Sequence, residues 1–481
     1  MGKPTGFLDL ARIEDPFRPA ENRLLDFLDL HEPLNEEKRR QQAERCMNCA
    51  VPFCQSDYGC PLHNRIPEWN DLLCRGLEKQ ALARLLQTAP FPEFTGHVCP
   101  ALCEKACNLS EDGVTNRNNE LYLIEKGFSE GWIEPRIPAH RTGVAAGDND
   151  AGGSTVAVVG SGPSGLSAAD LLNQLGYSVT VFEKADRPGG LLMYGIPAMK
   201  LPKELIERRI RLMEKEGIAF RLGKEVDPSL LSGFDAVVLC GGARKPRSLS
   251  MENADTPGIV YAVDYLTEQT KALLDDRPSG ISAKGKSVVV VGGGDTGNDC
   301  IGTALRQGCR SILQLEMMPA PPEERLPSNP WPEWPRVLKT DYGQVEAESV
   351  FGRDPRQYQT TVTKAIPGSD GTLTMIEIVR LMRDENGRMV PVPGTEETVP
   401  CELLLIAAGF VGCEEALPKA LDLPLGRRGT LMPENQSHHI KDKYFSAGDM
   451  RTGQSLVVRA LADGRAAALE VHAYLQKENE Q

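Results

Sequence analysis

The 481 residues suffice for about three domains of roughly 150 residues each. A formal net charge of −13 excludes a general nucleic-acid or membrane-surface binder, because both need a basic face. The chain does not open on a basic stretch followed by an apolar segment, and no run reaches the roughly 18 apolar residues that span a bilayer, so the expectation is a soluble, cytoplasmic protein.

In chain order, residues 1–150 are expected to form a helical, cysteine-bearing domain. Asn35 to Arg45 (NEEKRRQQAER) is polar and helix-favouring, and Ile66 to Leu86 carries apolar residues at three- and four-residue spacing, as an amphipathic helix would. Seven of the thirteen cysteines fall here in two groups, Cys46, Cys49, Cys54 and Cys60, then Cys99, Cys103 and Cys107. Cytoplasmic thiols stay reduced, so such groups read as metal ligands or redox centres rather than disulfides. Cys46 and Cys49 are two residues apart, and Cys60 and Cys99 each precede proline, as in ferredoxin-type cluster motifs. The same Cys-x₂-Cys spacing suits tetrahedral zinc, so the cysteines alone leave zinc and iron both open. Cys74 stands outside the groups and is expected to be buried.

Thr142 to Ser154 is rich in Gly, Ala, Asp and Asn and reads as a linker. Beyond it the pattern turns to β then α: TVAVVG from Thr155 ends in a glycine turn, a helical stretch runs to Leu175, and SVTVFEK is the next strand. The pattern recurs from Ser287, where SVVVVGGGDTGNDCIGTAL leads to SILQLE, and a last strand and glycine turn follow in KYFSAGDM. The predicted fold is α/β: two Rossmann-like dinucleotide-binding domains, one inserted in the other, preceded by the α-helical domain. The outer domain is expected to take residues 151–284 and 411–481, and the inserted one 285–410. Pro319 to Pro335 holds two tryptophans and is expected to be an ordered loop.

Gly160, Gly162 and Gly165, with Pro163 and Ser164 between them, follow a strand and open a helix, where a tight turn and the helix N-terminus can hold a pyrophosphate. Glu183, with Lys184 beside it, lies eighteen residues past Gly165, where a carboxylate can accept from an adenosine ribose. Pro188-Gly189-Gly190-Leu191 and Ala447-Gly448-Asp449 give backbone against which a flavin can lie, and Asp449 could bind its ribityl and phosphate portion. This combination resembles the FAD domain of two-dinucleotide-binding flavoprotein reductases. By position within that fold, Gly292, Gly293, Gly294, Asp295, Thr296 and Gly297 should hold the nicotinamide cofactor. Glu316, nineteen residues past Gly297, favours a 2′-hydroxyl, whereas Arg310 and Arg325 are near enough in sequence for a 2′-phosphate; NADH and NADPH stay open. Cys240, Cys300, Cys309, Cys401 and Cys413 are isolated and read as buried small hydrophobes, so a thioredoxin-reductase mechanism is disfavoured.

CMNCAVPFC, GCPLHNRIPEWN and FPEFTGHVCPALCEKAC resemble the N-terminal cluster domain of the glutamate synthase small (β) subunit. GGGDTGND, SAGDMRTGQSLVV and the opening MGKPTGF extend the resemblance over essentially the whole chain. The module is also similar to the N-terminal part of dihydropyrimidine dehydrogenase and to small NAD(P)H-linked ferredoxin reductases. The resemblance implies two [4Fe-4S] clusters, one on Cys46, Cys49, Cys54 and Cys107, the other on Cys60, Cys99, Cys103 and Glu120. The five residues between Cys54 and Cys60, against three in the commonest pattern, suggest a loop insertion that removes no ligand. It further implies NAD(P)H oxidation through FAD and electron delivery to a large subunit that makes glutamate from glutamine and 2-oxoglutarate. No side-chain acid or base is required, so no catalytic residue is named. A stand-alone reductase serving another acceptor, and a non-enzymatic assembly subunit stabilised by zinc and nucleotides, are the alternatives.

Overall fold

The computed structural model describes residues 4–137, 153–433 and 435–479. The expected linker from Thr142 to Ser154 lies outside the described residues except for its last two positions. Asn35 caps the helix Glu36–Glu44, its side chain accepting from the Lys38 amide at 3.0 Å. The stretch from Ile66 to Leu86 differs from the expected single helix. It forms two, Ile66–Cys74 and Glu78–Leu85, because Gly76 takes φ +71° just past the first and stops it. Their apolar faces, Trp69, Leu73, Leu82 and Leu85 among them, close on Leu123 and Ile124 of the helix Asn116–Ser129. Cys54 and Cys60 belong to this core, and Cys74 is half-buried against it.

Among the described residues fifteen strands form three sheets. They are β1 (Thr155–Val159), β2 (Ser178–Phe182), β3 (Ala219–Arg221), β4 (Ala236–Leu239), β5 (Ile259–Tyr261), β6 (Ser287–Val291), β7 (Ser311–Glu316) and β8 (Arg356–Tyr358). Then follow β9 (Thr360–Pro367), β10 (Leu373–Arg383), β11 (Met389–Pro391), β12 (Glu397–Pro400), β13 (Leu403–Ile406), β14 (His439–Lys441) and β15 (Tyr444–Ser446). The first sheet runs β14-β15-β4-β1-β2-β3 and the second β5-β13-β6-β7-β8. A small antiparallel sheet is built on β10, with β9, β11 and β12 as its partners. The chain leaves the first sheet after β4, completes the other two, and returns as β14 and β15, which is the insertion expected from the sequence. β1 pairs in parallel with β2 and β4, and β6 with β7 and β13, so these central apolar strands are buried on both faces. The expected boundary at residue 285 falls within the second unit. β5 pairs with β13, and Tyr265 and Leu266 of the following helix Ala262–Leu274 enter the second core. Cys240, Cys300, Cys401 and Cys413 are buried and Cys309 is half-buried.

The cysteine-bearing domain docks on the first unit through a buried ion pair. Arg209, on the helix Lys203–Lys215, donates to both carboxylate oxygens of Glu93 at 2.5 and 3.1 Å, and both side chains are at most 3% exposed. Phe91 and Phe94, on either side of Glu93, enter the first unit's core. Removing one partner leaves the other charged and buried. Glu93→Ala is therefore expected to cost about 3–5 kcal/mol, read from urea midpoints, whereas replacing Glu93 and Arg209 together by apolar residues should cost less.

Candidate functional site

The seven grouped thiols fall into two sets. Burial, with a smaller push from the neighbouring Cys107 and Cys49, raises the Cys46 thiol to about 12. Burial and then Cys107 likewise raise Cys49 and Cys54, so these four thiols sit within electrostatic reach of one another. Cys60, Cys99, Cys103 and Glu120 line a single cavity, with Asn64, Thr95 and Arg117 beside them. Burial raises Cys60 to about 11 and Cys99 to about 12, and Glu120 adds repulsion to both. Glu120 accepts from the Thr95 hydroxyl and faces into the cavity rather than to solvent; burial raises its carboxyl to about 7.

The donor sets fit iron–sulfur clusters. Thiols lose their protons on binding metal, and these burials disfavour the anions unless a cationic centre compensates. Among the described residues no group of three His, Cys, Asp or Glu side chains is drawn together tightly enough to hold a metal ion.

A cavity of about 560 Å³ lies between the two nucleotide-binding units. Gly160, Gly162, Pro163, Ser164, Glu183, Lys184, Gly190, Leu191 and Asp449 line it. The helix Pro163–Gln174 begins at its wall and turns its positive end inward. Gly165 and Gly448 stand behind the lining. A Cβ on Gly165 would overlap the Gly160 carbonyl, and one on Gly448 would meet the Ser164 side chain. Glu183 has a role the motif does not show: it accepts from the Ser161 amide at 3.0 Å, the Ser161 hydroxyl at 2.6 Å and the Ala185 amide at 2.8 Å. Ser161 Oγ in turn accepts from the Gly189 amide at 3.0 Å, so this carboxylate ties the two glycine turns together. Lys184 pairs with Glu414 at 2.7 Å. Asp463 was not legible as a site residue; it lies on a helix outside any motif, yet accepts from the Gly448 amide at 2.7 Å. Phe410, Tyr261 and Asp264 line the cavity from the second unit, brought there only by tertiary structure.

At the second turn Gly293, Gly294 and Asp295 are exposed, Thr296 is half-buried, and the helix Asp295–Arg306 begins there. Gly297 is buried against the Gly292 carbonyl, as Gly165 is against Gly160. Glu316, at the end of β7, lies against Gly293 and accepts from the Met318 amide at 3.1 Å. Of the two arginines named for a phosphate, Arg310 does not stand at this turn. Arg310 precedes β7, at the opposite end of the strand, and pairs with Glu402. Arg325 donates to the Glu333 carbonyl at 2.7 Å and lies 3.5 Å from Glu111 of the cysteine-bearing domain. The Pro319–Pro335 loop packs against the cysteine-bearing domain. Trp331 Nε1 donates to the Cys107 carbonyl at 3.1 Å, and its ring lies 4.9 Å from that of Phe53.

Residues 23–132 match the family described as dihydropyrimidine dehydrogenase domain II, 4Fe-4S cluster. Residues 122–230 and 156–329 match pyridine nucleotide-disulphide oxidoreductase. The His57Gln mutant of FprA from Mycobacterium tuberculosis shares the fold over 68% of this chain and 86% of its own, with a TM-score of 0.53 at 20% identity. Fold and site together define an NAD(P)H-dependent flavin oxidoreductase with an iron–sulfur domain. The glutamate synthase [NADPH] small chain of Bacillus subtilis is 46% identical over 99% of both chains, and that of Escherichia coli is 33% identical over 96% of this chain and 97% of its own. Glutamate synthase [NADH] of Schizosaccharomyces pombe is 43% identical over 98% of this chain but only 23% of its own length. This chain belongs to the glutamate synthase small-chain family. No helix among the described residues is long and apolar enough to cross a membrane.

Cys46→Ser and Cys103→Ser, one from each thiol set, are expected to lower iron per chain, while Cys74→Ser should leave it unchanged; unaltered iron in the first two would refute both ligand sets. Asp449 gives a pH prediction. Burial raises its carboxyl from 3.8 to about 6, although Ser455 donates to it at 2.8 Å. A raised native pKa means the fold holds this proton more tightly than the unfolded chain does. Its contribution is full below about pH 4 and is lost as pH rises through about 6. In flavin-free protein Asp449→Asn should therefore raise the melting temperature more at pH 8 than at pH 5, by no more than about 3 kcal/mol of stability.

Proposed function

We propose that this chain is the electron-input subunit of a glutamate synthase, oxidising NAD(P)H and delivering the electrons, by way of FAD and two [4Fe-4S] clusters, to a large subunit that makes glutamate from glutamine and 2-oxoglutarate. The observation that carries the reading is adjacency. Val458, at the start of the last helix, lines the Glu120 cavity, while Val457 and Ala460 of the same helix line the flavin cavity. Cys46, Cys49, Cys54 and Cys107 would hold one cluster, and Cys60, Cys99, Cys103 and Glu120 the other. A flavin takes electrons in pairs and can release them singly, which suits the one-electron centres beside it.

The protein's part is binding and placement. The helix starts at Pro163 and Asp295 offer backbone amides to the two pyrophosphates, and Glu183 holds the first turn in shape through Ser161. Gly190 and Leu191 present the wall against which the flavin ring would rest. Glu316 beside Gly293 supports NADH, whereas the names of the Bacillus and Escherichia relatives support NADPH. In this scheme no side chain needs to act as acid or base.

The test is co-expression with a glutamate synthase large subunit and assay with both nicotinamide donors. NAD(P)H oxidation should require glutamine and 2-oxoglutarate together and match the 2-oxoglutarate consumed. The chain alone should reduce an artificial dye but form no glutamate. Failure to associate with the large subunit, with dye reduction intact, would point instead to a reductase for another acceptor.

A further inference from the structure

The stretch from Leu191 to Lys203 spans the distance between the two nucleotide sites. At one end Leu191 and Leu192 line the flavin cavity, and buried Lys203 holds the stretch in shape by donating to the carbonyls of Leu192 at 2.8 Å and Ile196 at 2.5 Å. In the middle, Lys200 crosses to the second unit. Its Nζ lies 3.1 and 3.4 Å from the two oxygens of Asp299, on the helix that starts at the nicotinamide turn. The Tyr342 hydroxyl donates to the same Asp299 oxygen at 2.9 Å, and Lys200 Nζ stands 6.0 Å from the Tyr342 ring centre. Met199 packs on Tyr342, sealing the junction. Asp299 is 4% exposed and Lys200 16%. Burial works against the Lys200 charge, but Asp299, Asp295 and Asp341 all face it and hold its pKa above the ordinary lysine value.

Neither Lys200 nor Asp299 lies in the set expected to touch a cofactor. The two nucleotide turns stand on separate sheets, so the spacing between nicotinamide and flavin depends on how the units are held. We infer that Lys200 and Asp299 are positioning residues for flavin reduction: a cross-unit ion pair that fixes the nicotinamide turn against the flavin wall. The inference rests on the two nucleotide sites of the functional reading. In the reaction concerned, a hydride carrying two electrons leaves NAD(P)H, giving NAD(P)⁺ and reduced flavin. Such transfers are steep in geometry; misplacement by about 1 Å can cost about 10²-fold.

The experiment uses the flavin-loaded chain with Lys200→Met, Asp299→Asn, the double variant and Lys200→Arg, followed by stopped-flow bleaching of the flavin on mixing with NADH or NADPH. The rate of flavin reduction at saturation should fall about tenfold or more in each single variant, while FAD per chain and the half-saturating nicotinamide concentration stay within about twofold. The double variant should be no slower than the worse single one, since the two side chains act as a unit, and Lys200→Arg should recover part of the rate. If a single variant fails to fold because one charge is left buried, the double variant, with none left unpaired, carries the measurement. Single and double variants reduced as fast as the parent would overturn the inference alone, as would a rate lost only in proportion to lost FAD. A parent chain whose flavin is bleached by neither donor would overturn the functional reading, and the inference with it.

Discussion

The arrangement of sites depends on how closely the last helix lies on the first glycine-turn helix. Val457–Asn479 approaches Pro163–Gln174 so tightly that a Cβ on Gly464 would overlap the Ser164 carbonyl, and the Ser167 hydroxyl donates to the Leu461 carbonyl at 2.8 Å. The contact brings the C-terminal segment back onto the unit it left after β4. It also puts the helix start, Val457 and Val458, in the thin wall between the flavin cavity and the cavity of Cys60, Cys99, Cys103 and Glu120. A bulkier residue at 464 would push this wall outward and separate the two centres. The spacing of the two cavities therefore rests on a packing detail between residues some 300 positions apart in sequence.

Electrostatics adds a second dependence. The grouped thiols, unlike the isolated cysteines of the nucleotide-binding units, lie close enough to repel one another when charged; Cys54, Cys60 and Cys107 are buried and the other four half-buried, and the second set adds a half-buried carboxylate. Thiols so placed gain charge only together with a cationic centre, so loading iron and completing this domain are linked events. Much of the domain's remaining polar interior is already satisfied without metal. Arg39 pairs with Asp15, Asn118 donates to that aspartate at 2.9 Å, and Arg45 donates to the Asp112 carbonyl at 2.6 Å. These contacts tie Arg39 and Arg45 into the domain, although each keeps a buried Nε without a partner.

What was legible in the sequence is local. A strand, a glycine turn and a helix span some 20 residues, and all the information needed to place Gly160–Gly165 and Gly292–Gly297 lies within that window; the same holds for the Asn35 cap. The misreadings share a different cause. The apolar spacing from Ile66 to Leu86 continues across Gly76, so periodicity hid a break that backbone conformation imposes. β5 is three residues long and has meaning only beside β13, which comes more than 140 residues later. Arg310 is six residues from Glu316, but along an extended strand that is about 20 Å, and the sheet places it at the wrong end. Arg325 sits in a loop whose course is set by its own hydrogen bonds, Asn329 Nδ2 to the Trp334 carbonyl at 3.1 Å among them. Lys200 carried no signal because its partner is on another unit.

That last point extends to the molecule as a whole. The second unit is inserted by only two chain crossings, a topology that by itself would let it swing. Side chains from every side remove that freedom. The N-terminal arm reaches it through Arg23 and Glu346 at 3.2 Å, and Arg306 binds the same Glu346 at 2.7 Å while donating to the Asp26 carbonyl at 2.9 Å. The same arm touches the cysteine-bearing domain through Asp29 and His97 at 3.1 Å, and the first unit through the Leu30 amide and the Met199 carbonyl at 3.1 Å. Trp331 ties the far side to Cys107. The two ion pairs on Glu346 are buried, so pulling the arm away would break the Arg23 pair and leave Glu346 held by Arg306 alone. Contacts of this kind tie the inserted unit to the arm and to the cysteine-bearing domain at more points than its two chain crossings alone would supply.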